Sequence, residues 1–97
     1  MLTSRQRANL RCSANRLDTI FQIGKGGIEE TLLRQIAEAL TARELIKLRV
    51  LNTSAYSARE AGELAARATD SELVQVIGSR FVLYKQNIKK NQYAQCL

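Results

Sequence analysis

Hydrophobic positions along the chain recur with two different periods, and together they predict seven elements. Apolar residues spaced at 3.6 residues mark three helices, of which the second carries a clear stripe from Ile28 to Leu40. Apolar residues that alternate with polar ones, or runs rich in β-branched side chains, mark four strands. In chain order, the predicted elements are a helix over 4–15, a strand over 19–23, a helix over 28–43, a strand over 44–51, a helix that begins at 58, and strands over 72–77 and 80–84.

The order αβαβαββ predicts an α/β fold of the two-layer sandwich type, in which a small mixed four-stranded sheet carries helices packed on it. Local signals support the boundaries of the elements. Thr3 or Ser4 is a suitable cap for the first helix, and residues 57–60 match a capping box before the third. Gly78 and Ser79 form a predicted tight turn between the last two strands.

Length and composition fit a single domain without a membrane span. The 97 residues, 45% of them hydrophobic, suffice for one core, which we place at about 2–85. No apolar run approaches the roughly 20 residues that a membrane-spanning helix needs, and the first sixteen residues lack the apolar segment of a signal peptide. We therefore expect a cytosolic protein, and a monomer. The basic tail over 86–97 loses the pattern, and we expect it, with Lys89 and Lys90, to be mobile.

The loop between the first strand and the second helix is the clearest candidate site. Gly24, Lys25, Gly26 and Gly27 form a GxxG sequence that joins a strand to a helix N-terminus. Backbone N–H groups of such a loop can approach an anion closely, the helix dipole favours negative charge there, and Lys25 adds a positive charge. The glycines have a second explanation, namely a turn that needs positive φ. The loop alone does not decide between these two interpretations.

Spacing excludes two other phosphate-binding loops. A nucleotide-binding P-loop needs Ser or Thr after its lysine, whereas Lys25 is followed by Gly26. A dinucleotide-binding fingerprint needs a third glycine at the position that Glu29 occupies. The remaining match is the GxxG loop with which KH-type domains clamp a nucleic-acid backbone.

Charge is concentrated at the two ends of the chain. The net charge is +6, made up of +4 over residues 1–26, −1 over 27–71 and +3 over 72–97. If the two ends meet in the fold, they form one basic patch of the kind that tracks phosphates. The alternative is a set of ordinary solvated side chains. Six residues besides the loop are candidates for phosphate contacts on this ground: Arg5, Arg7, Arg11, Arg16, Arg80 and Lys85.

The sequence argues against an enzyme and against a bound cofactor or metal. It contains no histidine, the side chain that most often serves as general acid or base. Cys12 and Cys96 are far apart in sequence and are expected to be reduced thiols. The carboxylates lie on predicted helices or at their ends beside Lys and Arg, where solvated and helix-end charges explain them. These carboxylates are Glu29, Glu30, Glu38, Glu44, Glu60, Glu63 and Asp70.

Several segments together resemble the CRM domain. The small bacterial YhbY-like proteins consist of this domain alone. The resemblance spans about residues 2–85 in matching order and spacing. It rests on Leu2-Thr3-Ser4-Arg5-Gln6-Arg7 with Leu10, Arg11 and Ala14, on Ile20-Phe21-Gln22-Ile23-Gly24-Lys25-Gly26-Gly27, on Ala42-Arg43-Glu44-Leu45-Ile46-Lys47, and on Val76-Ile77-Gly78 with Val82-Leu83-Tyr84.

The resemblance implies a fold similar to the C-terminal half of bacterial translation initiation factor three. It also implies RNA binding through the GxxG loop and the adjoining basic surface, and association with precursors of the large ribosomal subunit. Carried over by position, the glycine loop at 24–27 becomes the backbone clamp, and Arg7 and Arg11 match basic positions of the opening motif. The other basic candidates come from charge alone.

Two other classes of function remain open at this point. A protein-interaction module would use the mixed face of the second strand, formed by Leu45, Lys47, Arg49 and Leu51. Lys47 and Arg49 are otherwise expected to be solvated. A DNA-binding protein would use the same phosphate clamp, because that clamp does not distinguish the sugars. Few aromatic residues are available for stacking on bases, so we expect strong salt dependence and modest sequence preference.

Overall fold

The computed structural model describes residues 2–87 and residue 93, and it confirms the predicted order αβαβαββ. Three of the four strands have the predicted bounds, and the second is shorter by one residue at each end. The expectation for Lys89 and Lys90, and that for Cys96, lie outside the described residues. The elements are α1 Ser4–Ala14, β1 Thr19–Ile23, α2 Glu30–Arg43, β2 Leu45–Val50, α3 Ala58–Thr69, β3 Glu72–Ile77 and β4 Arg80–Tyr84.

Capping boxes begin the first and third helices; the sequence predicts the box of the third helix and, for the first, only a cap at Thr3 or Ser4. The Thr3 hydroxyl accepts from the N–H of Gln6 at 3.1 Å, and the Gln6 side chain accepts from the N–H of Thr3 at 2.8 Å. Ser57 and Glu60 repeat the arrangement before α3, at 3.2 and 3.0 Å. Each box satisfies two backbone donors that a helix start otherwise leaves unpaired.

The four strands form one mixed sheet in the order β1-β2-β4-β3. β1 pairs with β2 in parallel, as the α2 crossover between them requires, and the other two pairings are antiparallel. Consequently β1 and β2 end, and β4 begins, at the same end of the sheet, which we call the loop end. β1 and β2 begin, and β4 ends, at the opposite end.

One face of the sheet is closed by α2 and α3. The helices pack against alternate strand residues, and the largest of these side chains are fully buried. Gly62 lets α3 approach closely, because a Cβ there would lie 2.8 Å from Leu73 Cδ1 and 3.2 Å from Phe81 Cγ. The buried residues of this closed face are Ile23, Ile36, Leu40, Ile46, Leu48, Val50, Ala58, Ala61, Ala65, Ala66, Phe81 and Leu83.

The other face is covered by α1, which adds a partial third layer to the predicted sandwich of sheet and helices. α1 buries a smaller cluster, consisting of Leu10, Ala14, Leu45, Val74, Val82 and Tyr84. Leu45 lies on the same face as Lys47 and Arg49, as expected, but α1 buries it there and the face is not mixed at that position. Its exposed fraction is 1% because α1 lies over it.

α2 begins at Glu30, two residues later than the pattern predicts. Ile28 fits the apolar stripe, yet the backbone just before Glu30 is not helical. Gly27 has a φ of +69°, and Glu29 is extended with φ −96° and ψ 165°. The chain therefore leaves the glycine loop in an extended conformation before it enters the helix.

Glu44 is a correction to the interpretation of the carboxylates as solvated charges. It ends α2 with a φ of +65° and is fully buried. Its carbonyl accepts from the N–H of Lys85 at 2.9 Å, and its Oε2 accepts from the N–H of Asn87 at 3.2 Å. Glu44 thus joins the end of α2 to the segment that follows β4.

Candidate nucleic-acid interface

The glycine loop, Gly24–Gly27, is a tight turn at the loop end of the sheet. The N–H of Gly27 donates to the carbonyl of Gly24 at 2.9 Å, which places Lys25 and Gly26 at the tip. Gly27 has positive φ, so the turn explanation accounts for a glycine at that position. It does not account for Gly24 or Gly26, neither of which has positive φ.

The tip of the loop presents backbone donors and one charge to solvent. Lys25 and Gly26 are exposed, and among the described residues their N–H groups make no backbone hydrogen bond. A Cβ on Gly26 would meet only the side chain of Glu29, at 3.3 Å from Oε1. The missing side chain opens the backbone at Gly26, as in GxxG clamps, and an anion that approaches there must displace the Glu29 carboxylate.

The N-terminus of α2 contributes less to this site than the sequence suggests. Its N-cap residue is Glu29, whose side chain makes no capping hydrogen bond, and Glu30 is an acid in the first turn. These two carboxylates are negative charges at the helix start, and they repel a phosphate that the helix dipole would otherwise attract. Anion binding here depends on the N–H groups of the tip and on Lys25.

Arg80 lies at the same end of the sheet as the glycine loop. β4 begins with Arg80 where β1 and β2 end, and the N–H of Val50 donates to the Ser79 carbonyl at 2.6 Å. Lys25 and Arg80, which are far apart in sequence, therefore lie at the same end of the sheet.

Arg16 and Lys85 lie at the opposite end of the sheet. Arg16 comes just before β1 begins and Lys85 just after β4 ends, so the length of a strand, roughly 15 Å, separates them from the loop end. The ammonium of Lys85 donates to the carbonyl of Thr69 at 3.1 Å, which stabilises the C-terminus of α3. Among the described residues, Arg80 therefore lies at the loop end, whereas Arg16 and Lys85 do not share a patch with the loop.

Arg7 and Arg11 lie along the edge strand β3. The Arg7 guanidinium donates to the carbonyl of Leu73 and, at 3.4 Å, to that of Val74, where the register with β4 shifts. This contact fastens α1 to a bulge in β3. Arg7 and Arg11 also line a groove along β3, whose volume is about 430 Å³. Arg5 is exposed on the first turn of α1.

Two arginines near these sites were not selected by sequence reasoning. Arg59 lines the groove along β3 and lies 3.8 Å from the carboxylate of Glu63. Because residues 57–60 match a capping box, the sequence indicated only a helix start at Arg59 and not a position in this groove. Arg49 is exposed, as expected, and it also pairs in register with Arg80. Strand register depends on tertiary structure, so no local signal in the sequence indicates that pair.

Neither a membrane-spanning helix nor a group of three or more metal-binding side chains occurs in the part of the chain that the structure describes.

Comparison with known proteins agrees with this architecture. The family model of the CRS1/YhbY (CRM) domain matches residues 2–85. The chain belongs to the CRM domain family. "Probable RNA-binding protein YqeI" of Bacillus subtilis (strain 168) is 45% identical over 92 residues, which cover 95% of this chain and 96% of the relative. An "RNA-binding protein" of Haemophilus influenzae is 31% identical over 84 residues, or 87% of this chain and 85% of that one.

A solved structure shows the same CRM fold. The solution structure of SAV1595 from Staphylococcus aureus superposes with a TM-score of 0.76 at 49% sequence identity. The superposition covers 90% of this chain and 91% of that chain. The mixed α/β fold with three helices and a four-stranded sheet is therefore that of a solved homologue.

Proposed function

We propose that this CRM domain binds ribosomal RNA, or precursor particles of the large ribosomal subunit, and assists ribosome assembly. The observation that carries the proposal is the tip of the glycine loop, where Lys25 and Gly26 are exposed and, among the described residues, their N–H groups make no backbone hydrogen bond. Phosphate is the ligand that such a tip fits, since it offers donors, positive charge and close approach. Relatives of this chain are named as RNA-binding proteins.

The ribosomal part of the proposal rests on the resemblance of the sequence motifs to the CRM domain. The net charge of +6 supports a polyanionic partner, and the mechanism is binding, with no bond made or broken. Aromatic side chains that could stack on bases make up only 5% of the chain. The domain therefore recognises the phosphate backbone and the shape of the RNA. Its proposed place is the cytoplasm, where ribosomal particles assemble.

Two substitutions test the loop separately for charge and for close approach. Lys25→Ala removes one phosphate contact and should flatten the dependence of log affinity on log salt by roughly 0.7 unit, the value for one single-strand contact. Gly26→Ala adds a methyl group at the tip, where the negative φ of Gly26 and the exposed end of the Glu29 side chain tolerate it. Both variants should weaken binding to a ribosomal RNA fragment severalfold, on the order of one lost contact.

Arg67→Ala is the matched control, because Arg67 is an exposed cation in the last turn of α3, on the closed face. It should bind RNA nearly as the unmodified protein does. DNA of the same sequence tests the alternative class of nucleic acid, and weaker binding to DNA is expected. Loop variants that fold normally and bind RNA like the control would contradict the proposal.

A further inference from the structure

The register of the sheet places four residues in one row across all four strands. Gln22 of β1 pairs with Arg49 of β2, Arg49 pairs with Arg80 of β4, and Arg80 pairs with Ile77 of β3. Directly paired residues on neighbouring strands point to the same face of a sheet. We call this set the arginine row, and its members are Gln22, Arg49, Arg80 and Ile77.

The arginine row lies on the face that α1 covers only in part. Val50 and Phe81, the strand neighbours of Arg49 and Arg80, point into the closed face, so the two arginines point to the other. On that face α1 buries Leu45, Val82 and Tyr84, and all three lie farther from the loop end than the arginine row does. All four members of the row are exposed, and the exposed fraction of Ile77 is 60%. The half of this face next to the loop end is thus open to solvent.

The central pair of the row places two positive charges side by side. Arg49 and Arg80 are directly opposite each other on antiparallel strands, where the Cα atoms are about 4.5–5.5 Å apart and like charges destabilise the sheet. Within the described residues, neither guanidinium forms an ion pair with a carboxylate. An anion bound between them would remove this repulsion.

We propose that the arginine row is a second RNA-binding surface, on which the Arg49 and Arg80 guanidinium groups hold the phosphate backbone of a strand that also contacts the glycine loop. The planar guanidinium binds phosphate oxygens through two parallel hydrogen bonds. The arginine row lies where the strands lead into the turns at the loop end, so one RNA segment can reach both the row and the glycine loop. This inference rests on the proposed function, because it assumes that the partner is RNA.

The composition of the open half fits RNA better than an acidic protein. A protein interface has an apolar core, and among the described residues Ile77 is the one large hydrophobic side chain that is exposed. Interfaces with nucleic acid are more polar and more positively charged. Gln22 supplies donors and an acceptor for a base or sugar, and Ile77 supplies a small apolar contact.

The direct test compares Arg49→Gln/Arg80→Gln with Arg67→Gln and with Lys25→Ala in binding to a ribosomal RNA fragment over a salt series. The double variant should lose affinity by on the order of tenfold, and its salt slope should fall by about 1.4 units for two single-strand contacts. Arg67→Gln, the control on the closed face, should stay within about twofold. Polyglutamate serves as the probe for an acidic protein partner.

The outcomes separate this inference from the proposed function. If Lys25→Ala weakens binding and the double variant matches Arg67→Gln, the arginine row is not a site and the loop remains one. If the unmodified protein does not bind RNA, both proposals fail. If polyglutamate displaces RNA from the unmodified protein as well as RNA competitor does, the partner is an acidic protein and the inference is overturned.

A second measurement uses the unmodified protein and so does not depend on how the variants fold. The side-chain Nε–H resonances of Arg49 and Arg80 should shift on addition of the RNA fragment, while that of Arg67 should not. Unchanged resonances of both row arginines in a bound complex would also overturn the inference.

Discussion

The two faces of the sheet differ in how completely helices cover them. α2 and α3 together close one face, and strand residues such as Ile46, Leu48 and Phe81 are fully buried there. α1, with Tyr93 packed against the same cluster, covers part of the other face, and Arg49 and Arg80 remain exposed beyond it. Because strand side chains alternate between faces, the same strands supply the core on one side and a basic surface on the other.

The difference separates the residues that hold the fold from those available to bind. On the closed face, substitutions should change the free energy of unfolding. On the open half of the other face, they should change binding while stability stays nearly constant. α1 has both kinds of residue, because it buries a small apolar cluster and also carries exposed arginines.

The largest expected effect contrasts two neighbours on β4. Phe81→Ala should lower the free energy of unfolding by about 3–5 kcal/mol, because it empties a fully buried position against α3. Arg80→Gln, one residue earlier and on the opposite face, should change it by less than about 0.5 kcal/mol. Urea denaturation measures both. Equal losses of stability would contradict the assignment of the two residues to different faces.

A smaller effect is expected at the contact between α1 and β3. Arg7→Ala should lower the free energy of unfolding by about 1–2 kcal/mol, because it leaves the carbonyls of the β3 bulge without their charged donor. Arg11→Ala, one helical turn later on an exposed residue, should change stability by less than about 0.5 kcal/mol. If both variants are equally stable, the Arg7 contact does not hold α1 to the sheet.

The smallest effect distinguishes the capping boxes of α1 and α3. Hydrogen bonds from the Ser57 backbone and side chain lower the pKa of Glu60 below its ordinary value of 4.5. The ionised form is therefore favoured in the folded state, and this contribution is present above pH 4.5 and disappears as pH falls through the lowered pKa. The box of α1 uses the uncharged Gln6 and lacks this dependence.

Thermal unfolding of the unmodified protein and of Glu60→Gln at pH 7 and pH 3 tests this difference. Glu60→Gln should be less stable at pH 7, and the gap should narrow at pH 3. A gap that stays constant between the two pH values would show that the charge of Glu60 makes no contribution.

The secondary structure was largely predictable because its signals are local. Thr3 and Ser57 mark helix starts by their hydroxyl groups, and alternation marks the strands to within one residue. α2 was placed two residues too early because Ile28 fits the apolar period, whereas the positive φ of Gly27 and the extended Glu29 set the helix start. Periodicity does not report backbone conformation at a single residue.

Of the candidate nucleic-acid interface, only the glycine loop was predictable from the sequence. Gly24–Gly27 could be found from spacing and from the resemblance to the CRM domain. The burial of Leu45 under α1, the contact of Arg7 with β3 and the pairing of Arg49 with Arg80 depend on how distant segments dock. Charge along the sequence indicated a basic protein, but it could not say that Arg16 and Lys85 lie at the end of the sheet opposite the loop.

The central claim is that RNA binds at the loop end, and chemical-shift mapping of the unmodified protein with a ribosomal RNA fragment tests it most directly. The account predicts that backbone shifts concentrate at Gly24–Gly27 and at the residues around Arg49 and Arg80. Residues around Arg16 and Lys85, and the exposed surfaces of α2 and α3, should change little. Shifts concentrated at the opposite end of the sheet, with the glycine loop unchanged, would contradict the account.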